Sequence, residues 1–103
     1  MNIDNYIDLI LITRQTARKY KIKVFEINCI YTSYLINKKD TSMYLNRFIL
    51  GRTIAKSYRC KNANQLIMHG LINKIESDVY LFTPLAVDVL NYIDEQLKTL
   101  TNV

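Results

Sequence analysis

Two glycines and one proline, Gly51, Gly70 and Pro84, are spread over 103 residues. These residue types supply most tight turns, so their scarcity limits the number of chain reversals and favours long helices. The apolar pattern agrees. Ile3, Ile7, Ile10 and Ala17 recur at helical spacing over residues 3–20, with Leu9, Leu11 and Ile12 widening the stripe and Asn2 or Asp4 placed to cap the start. Positions 27, 30, 31, 34 and 35 predict a second helix from Phe25 to Ile36, followed by the polar break Asn37-Lys38-Lys39-Asp40. Thr41 or Ser42 is expected to cap a short third helix that runs through Leu50 and stops at Gly51. A fourth is expected from about Ala55 or Ser57 to His69, stopped by Gly70.

Residues 71–75 and 79–82 then read as two short strands around the turn Glu76-Ser77-Asp78. Thr83-Pro84 has the form of an N-cap followed by proline in the first helical position. In the final helix Leu85, Val89, Ile93 and Leu97 are spaced by four. The expectation is one domain over residues 1–103, mainly α with a small β-hairpin.

The net charge of +5 hides a stronger asymmetry. Residues 1–40 carry seven Lys/Arg and four Asp/Glu, residues 41–75 carry six and none, and residues 76–103 carry one and five. An acid-free stretch repels itself, which points to an anionic partner. The six bases are Arg47, Arg52, Lys56, Arg59, Lys61 and Lys74. Composition offers another source for some of them: 14 Ile, 10 Asn, 9 Lys and 8 Tyr suggest an AT-rich genome, cellular or viral, such as that of a phage or plasmid.

Other chemistry is thinly represented. No apolar run reaches the roughly 18–20 residues of a membrane span, and no secretory leader is apparent. Two cysteines, Cys29 and Cys60, suit neither a disulfide framework nor a zinc site. Both fall in apolar stripes, although Arg59 and Lys61 would lower the Cys60 pKa were it exposed. His69, the single histidine, sits at a helix end, where packing or a favourable helix-end charge is the ordinary role. The sequence holds no Gly-rich phosphate loop, metal cluster or nucleophile–base pair. No enzyme, metal or cofactor is expected, and the setting is expected to be cytoplasmic.

Over residues 57–69 a helical projection puts Cys60, Ala63 and Ile67 on one side and Tyr58, Lys61, Asn62 and Gln65 on the other. The second set is polar and acid-free. Asn and Gln can bond adenine edges, and Lys suits guanine or phosphate. The bland alternative is a solvated helix face.

Two segments carry a family resemblance. Leu66-Ile67-Met68-His69-Gly70-Leu71-Ile72 resembles the end of the recognition helix and the start of the wing in the MarR and SarA families of regulators. Val79-Tyr80-Leu81-Phe82-Thr83-Pro84-Leu85-Ala86 resembles their second wing strand and the start of the dimerising helix, with Ala86 where glycine is frequent. The resemblance implies a winged helix-turn-helix, with helix-turn-helix and wing over 41–83 and dimerisation helices at 1–20 and 84–100. It implies a homodimeric, sequence-specific regulator of transcription on double-stranded DNA. Tyr58, Lys61, Asn62 and Gln65 would then read bases, and Arg47, Arg52, Lys56, Arg59 and Lys74 would hold phosphates. The wing departs from the pattern: its tip carries Glu76 and Asp78, which would repel phosphates. That departure, with the apolar terminal helices, motivates a second reading as a protein-docking module on the same scaffold.

Overall fold

The computed structural model describes residues 3–57 and 59–101, with the side chains of 3–5 and 101 outside the description. The chain is mainly helical with a small antiparallel sheet. Its elements are α1 (Ile3–Tyr20), α2 (Val24–Ile36), β1 (Leu45–Asn46), α3 (Arg47–Lys56), α4 (Ala63–Met68), β2 (Ile72–Glu76), β3 (Val79–Phe82) and α5 (Pro84–Thr101). The expected caps Asn2 and Asp4 lie outside the described side chains.

Helix α2 is apolar around most of its circumference, as suits an element at the centre of a fold. It buries Ile27, Cys29, Ile30, Tyr31 and Tyr34 and packs against α1, α3 and α5. Its buried Ser33 hydroxyl donates to the Cys29 carbonyl at 2.8 Å and lies 2.8 Å from the Thr53 hydroxyl of α3. These contacts satisfy polar groups that would otherwise be costly in the core. On the other side, the Tyr31 and Tyr34 hydroxyls donate to the two oxygens of Asp94 on α5, at 3.2 and 2.5 Å, and Lys39 Nζ lies 3.8 Å from the same carboxylate.

Helix α5 packs along α1 and buries Ala86, Val89, Leu90 and Ile93. Its start follows the expected chemistry: Thr83 Oγ1 accepts from the Ala86 N–H at 3.2 Å and donates to the Gly70 carbonyl, with Pro84 in the first turn. One hydroxyl thus caps α5 and ties it to the end of α4. Helix α1 buries Ile12, Thr13 and Thr16 but leaves Tyr6, Ile7, Ile10 and Leu11 exposed, Tyr6 by 59% and Leu11 by 55%.

The sheet has three strands in the order β1-β3-β2, all antiparallel. The expected hairpin is β2–β3, with Ser77 and Asp78 at its turn and Asp78 at φ 64. Strand β1 was not expected. It is two residues long and pairs Leu45 with Tyr80 and Asn46 with Val79.

The middle of the chain corrects three expectations. Thr41 and Ser42 cap nothing helical: Asn46 is the cap of the third helix, its Oδ1 accepting from the Ile49 N–H at 2.9 Å. Gly51 does not end that helix but lies inside it. The helix expected over 57–69 spans only Ala63–Met68. Before it, Ser57 Oγ donates to the Phe25 carbonyl at 2.9 Å and Cys60 is fully buried, so these two residues are anchored to the core outside any helix. Gly70 does stop α4. At φ +73 it allows its own N–H to reach the Ile67 carbonyl and the Leu71 N–H to reach the Leu66 carbonyl, at 3.0 and 2.9 Å. Paired bonds of this kind close a helix on a left-handed residue.

Candidate nucleic-acid interface

Helix α3 presents the most distinctive surface. At ~100° per residue, Arg47, Phe48, Gly51, Arg52, Ala55 and Lys56 fall on one half of it, and all are exposed. The opposite half buries Leu50 and Thr53. Phe48, 72% exposed, stands between Arg47 and Arg52, and these three border a shallow depression with Gly51. Further along, Lys56 and Arg59 line one groove between α2 and α3, about 390 Å³ in volume, with Asn28, Thr32, Thr53 and Ser57. Four of the six expected cations are therefore gathered in two pairs along one helix and the connector that follows it.

The remaining two are dispersed. Lys61 is exposed on the connector and Lys74 on β2. Arg47 is shared with the β2–β3 turn: its N–H donates to the Asp78 carbonyl at 2.8 Å, and its guanidinium lies 3.9 Å from Asp78 Oδ2. The acidic tip is thereby folded against the N-terminus of α3, where a carboxylate is favoured by the helix dipole.

The four expected base readers do not form one helical face. Tyr58 lies outside the described residues. Asn62 is the N-cap of α4, its Oδ1 accepting from the Gln65 N–H at 3.2 Å, and Gln65 Oε1 accepts from the Lys61 N–H at 3.2 Å. Each side chain satisfies a backbone donor at the helix start, in a reciprocal arrangement close to a capping box. Lys61 is exposed and Gln65 half-buried, and the Lys61 ammonium and the Gln65 amide NH₂ are donor groups. Two residues that the continuous-helix projection overlooked, Asn64 and Met68, are exposed one turn apart on α4, Met68 by 81%. An Asn cap at position 62, with the register started at 63, would have revealed them.

The cysteines are core residues. Burial pushes the Cys60 thiol up to about 12, with the neighbouring Cys29 thiol adding to the shift, and burial also raises Cys29. The lowered Cys60 pKa anticipated for an exposed thiol between Arg59 and Lys61 therefore does not apply. His69 follows α4 as its C-cap residue and hydrogen-bonds through Nδ1 to Glu26 Oε2. Among the described residues no cluster of His, Cys, Asp and Glu could hold a metal ion. Among the same residues no helix is long and apolar enough to cross a membrane.

Comparison with known protein families, curated proteins and solved structures finds no match to this chain.

Proposed function

We propose that this chain is a homodimeric, sequence-specific DNA-binding regulator of transcription on a winged helix-turn-helix scaffold of the MarR and SarA type, acting in the cytoplasm. The observation that carries the reading is the exposed basic half of α3, continued by Arg59, within a stretch that contains no acid. The order α2-β1-α3-α4-β2-β3, with β3 between the other strands, supports the scaffold. In this reading α4 enters the major groove. Lys61, Asn64 and Gln65 offer donors to base edges while Asn62 holds the helix start. Arg52, Lys56 and Arg59 hold phosphates, with Arg47 available when Asp78 yields it and Lys74 reaching from β2. The exposed apolar residues of α1 supply a surface for the second copy.

The test is a fluorescence titration of duplex DNA over a salt series. Neutralising about four phosphates gives a slope of log K against log salt of about −3 to −4. Arg52→Ala and Lys56→Ala each flatten it by about one. Absence of binding at low salt overturns the proposal.

One observation favours a second reading. An exposed phenylalanine between two arginines is also a protein-docking feature, since aromatic and Arg residues dominate interface energetics. If Phe48 anchors a protein partner, Phe48→Ala abolishes stoichiometric recovery of that partner, and DNA contributes nothing to it.

A further inference from the structure

Helix α3 carries two features that its packing does not explain. Gly51 lies inside the helix, where glycine is less stable than alanine, and nothing stands within 4 Å of a Cβ added there. Phe48, one turn earlier, is 72% exposed. A helical side chain leans toward the N-terminus and covers the turn before its own Cα. At position 51 that cover is missing, and an open depression of about 510 Å³ is left among Arg47, Phe48, Gly51 and Arg52. Among the described residues, cations lie over the rings of Tyr20, Tyr92 and Phe25, and neither guanidinium covers Phe48. The Arg52 guanidinium has no hydrogen-bond or ion-pair partner among the same residues. Arg47 has only the exposed Asp78 carboxylate at 3.9 Å, a weak pair.

We propose that this depression is a stacking site for an unpaired nucleotide of a single-stranded nucleic acid, its base on the Phe48 ring over Gly51 and its phosphates on Arg52 and Arg47. Proteins hold single strands with aromatic rings set among cations, because every base has a π face to offer. Such a platform needs an open face rather than an enclosed cavity. In a duplex the base faces are already covered by their neighbours. Arg47 and Arg52 are five residues apart, about 7.5 Å along the helix axis, so the phosphates on either side of one base each meet a guanidinium. A polyanion with flat π faces answers the ring and the cations together, within a stretch that contains no acid. The inference goes beyond the duplex reading and needs neither α4 nor a dimer.

Fluorescence titration of the full chain with a labelled oligothymidylate of about ten nucleotides tests it, beside an abasic strand of equal length. The oligothymidylate binds at low salt and the abasic strand binds more weakly. Phe48→Ala, a change at an exposed position, weakens oligothymidylate binding about tenfold or more. It leaves the salt slope unchanged, because stacking releases no counterions. Phe48→Tyr keeps the affinity, and Arg52→Ala flattens the slope by about 0.7. Gly51→Gln sets a side chain over the depression and weakens binding in a helix that is no less stable. The chain has no tryptophan, so tryptophan emission from Phe48→Trp reports on this site alone, and a stacked base quenches it. Absence of binding at low salt overturns the proposal and leaves Phe48 to the protein-docking reading. Equal binding of the abasic strand, or unchanged affinity in Phe48→Ala, overturns it too. A chain that binds the single strand through Phe48 but binds no duplex supports the stacking site and overturns the regulator reading.

Discussion

Asp78 holds Arg47 twice, through its backbone carbonyl at 2.8 Å and its carboxylate at 3.9 Å. The contact joins the β2–β3 turn to the first residue of α3. It also explains how an acidic turn coexists with a basic surface: the carboxylate is matched by a guanidinium from that surface.

Replacing Asp78 by Asn frees Arg47 without disturbing the turn. Asn tolerates the left-handed φ of 64 at this position and keeps the carbonyl. Both partners are well exposed, so stability changes by no more than about 0.5 kcal/mol. Under the DNA reading, affinity at low salt rises and the salt slope steepens by about one. Denaturation and the salt-series titration measure the two effects separately.

The two glycines respond to alanine with opposite signs. Gly51 is inside α3 with nothing within 4 Å of an added Cβ, so Gly51→Ala stabilises by about 0.5–1 kcal/mol. Gly70 also has open space, but its φ of +73 strains any L side chain, and Gly70→Ala destabilises by about 1 kcal/mol or more. Urea midpoints of the two variants decide the signs.

Asn62 separates helix capping from base reading. Asn62→Ala loses the bond to the Gln65 N–H and costs about 1 kcal/mol. Asn62→Asp preserves the cap, so thermal stability stays near wild type. The added negative charge weakens DNA binding if α4 faces phosphates. Melting curves and DNA titration on both variants provide the comparison.

The Asp94 cluster predicts a loss of stability at alkaline pH. Burial, then the Asp94 carboxylate, pushes the Tyr31 phenol from its ordinary 10.0 up to about 12, and burial with the Asp94 hydrogen bond raises Tyr34 further. The unfolded chain releases these protons from about pH 10, whereas the native state holds the Tyr31 proton to about 12. The unfolded state therefore binds fewer protons in that window, and stability falls as pH rises through it. Below pH 10 the contribution is intact. Asp94→Asn lowers both phenol pKa values and narrows the window, which phenolate absorbance and urea midpoints at rising pH will show.

The sequence revealed elements whose cause is local. Spacing by four along α5, the Thr83-Pro84 start and the left-handed stop at Gly70 each depend on neighbours a turn or less away. The region from 41 to 62 is less legible because its causes are distant. Leu45 and Asn46 are a strand only because Tyr80 and Val79 pair with them. Ser57 leaves the helical path toward the Phe25 carbonyl, and Cys60 enters the core. Gly51 has the residue type of a helix terminator, yet the helix continues through it because Leu50 and Thr53 hold its other side in the core. For the candidate site, residue types were legible but their grouping was not. The basic character of 41–75 survives as the face of α3, whereas the reading face dissolved once Asn62 and Gln65 proved to serve the start of α4.

Strand β2 forms one border of the sheet, and it carries Lys74 and Glu76 among exposed residues. Charges on a border strand discourage another strand from adding there, which is how natural sheets avoid open-ended growth. At the other border β1 offers only two residues. The apolar surface of α1 is helical and gives no template for strand addition. The exposed Ile, Leu and Tyr of α1 therefore lie where they cannot extend the sheet, because the helix has already spent its backbone donors and acceptors internally.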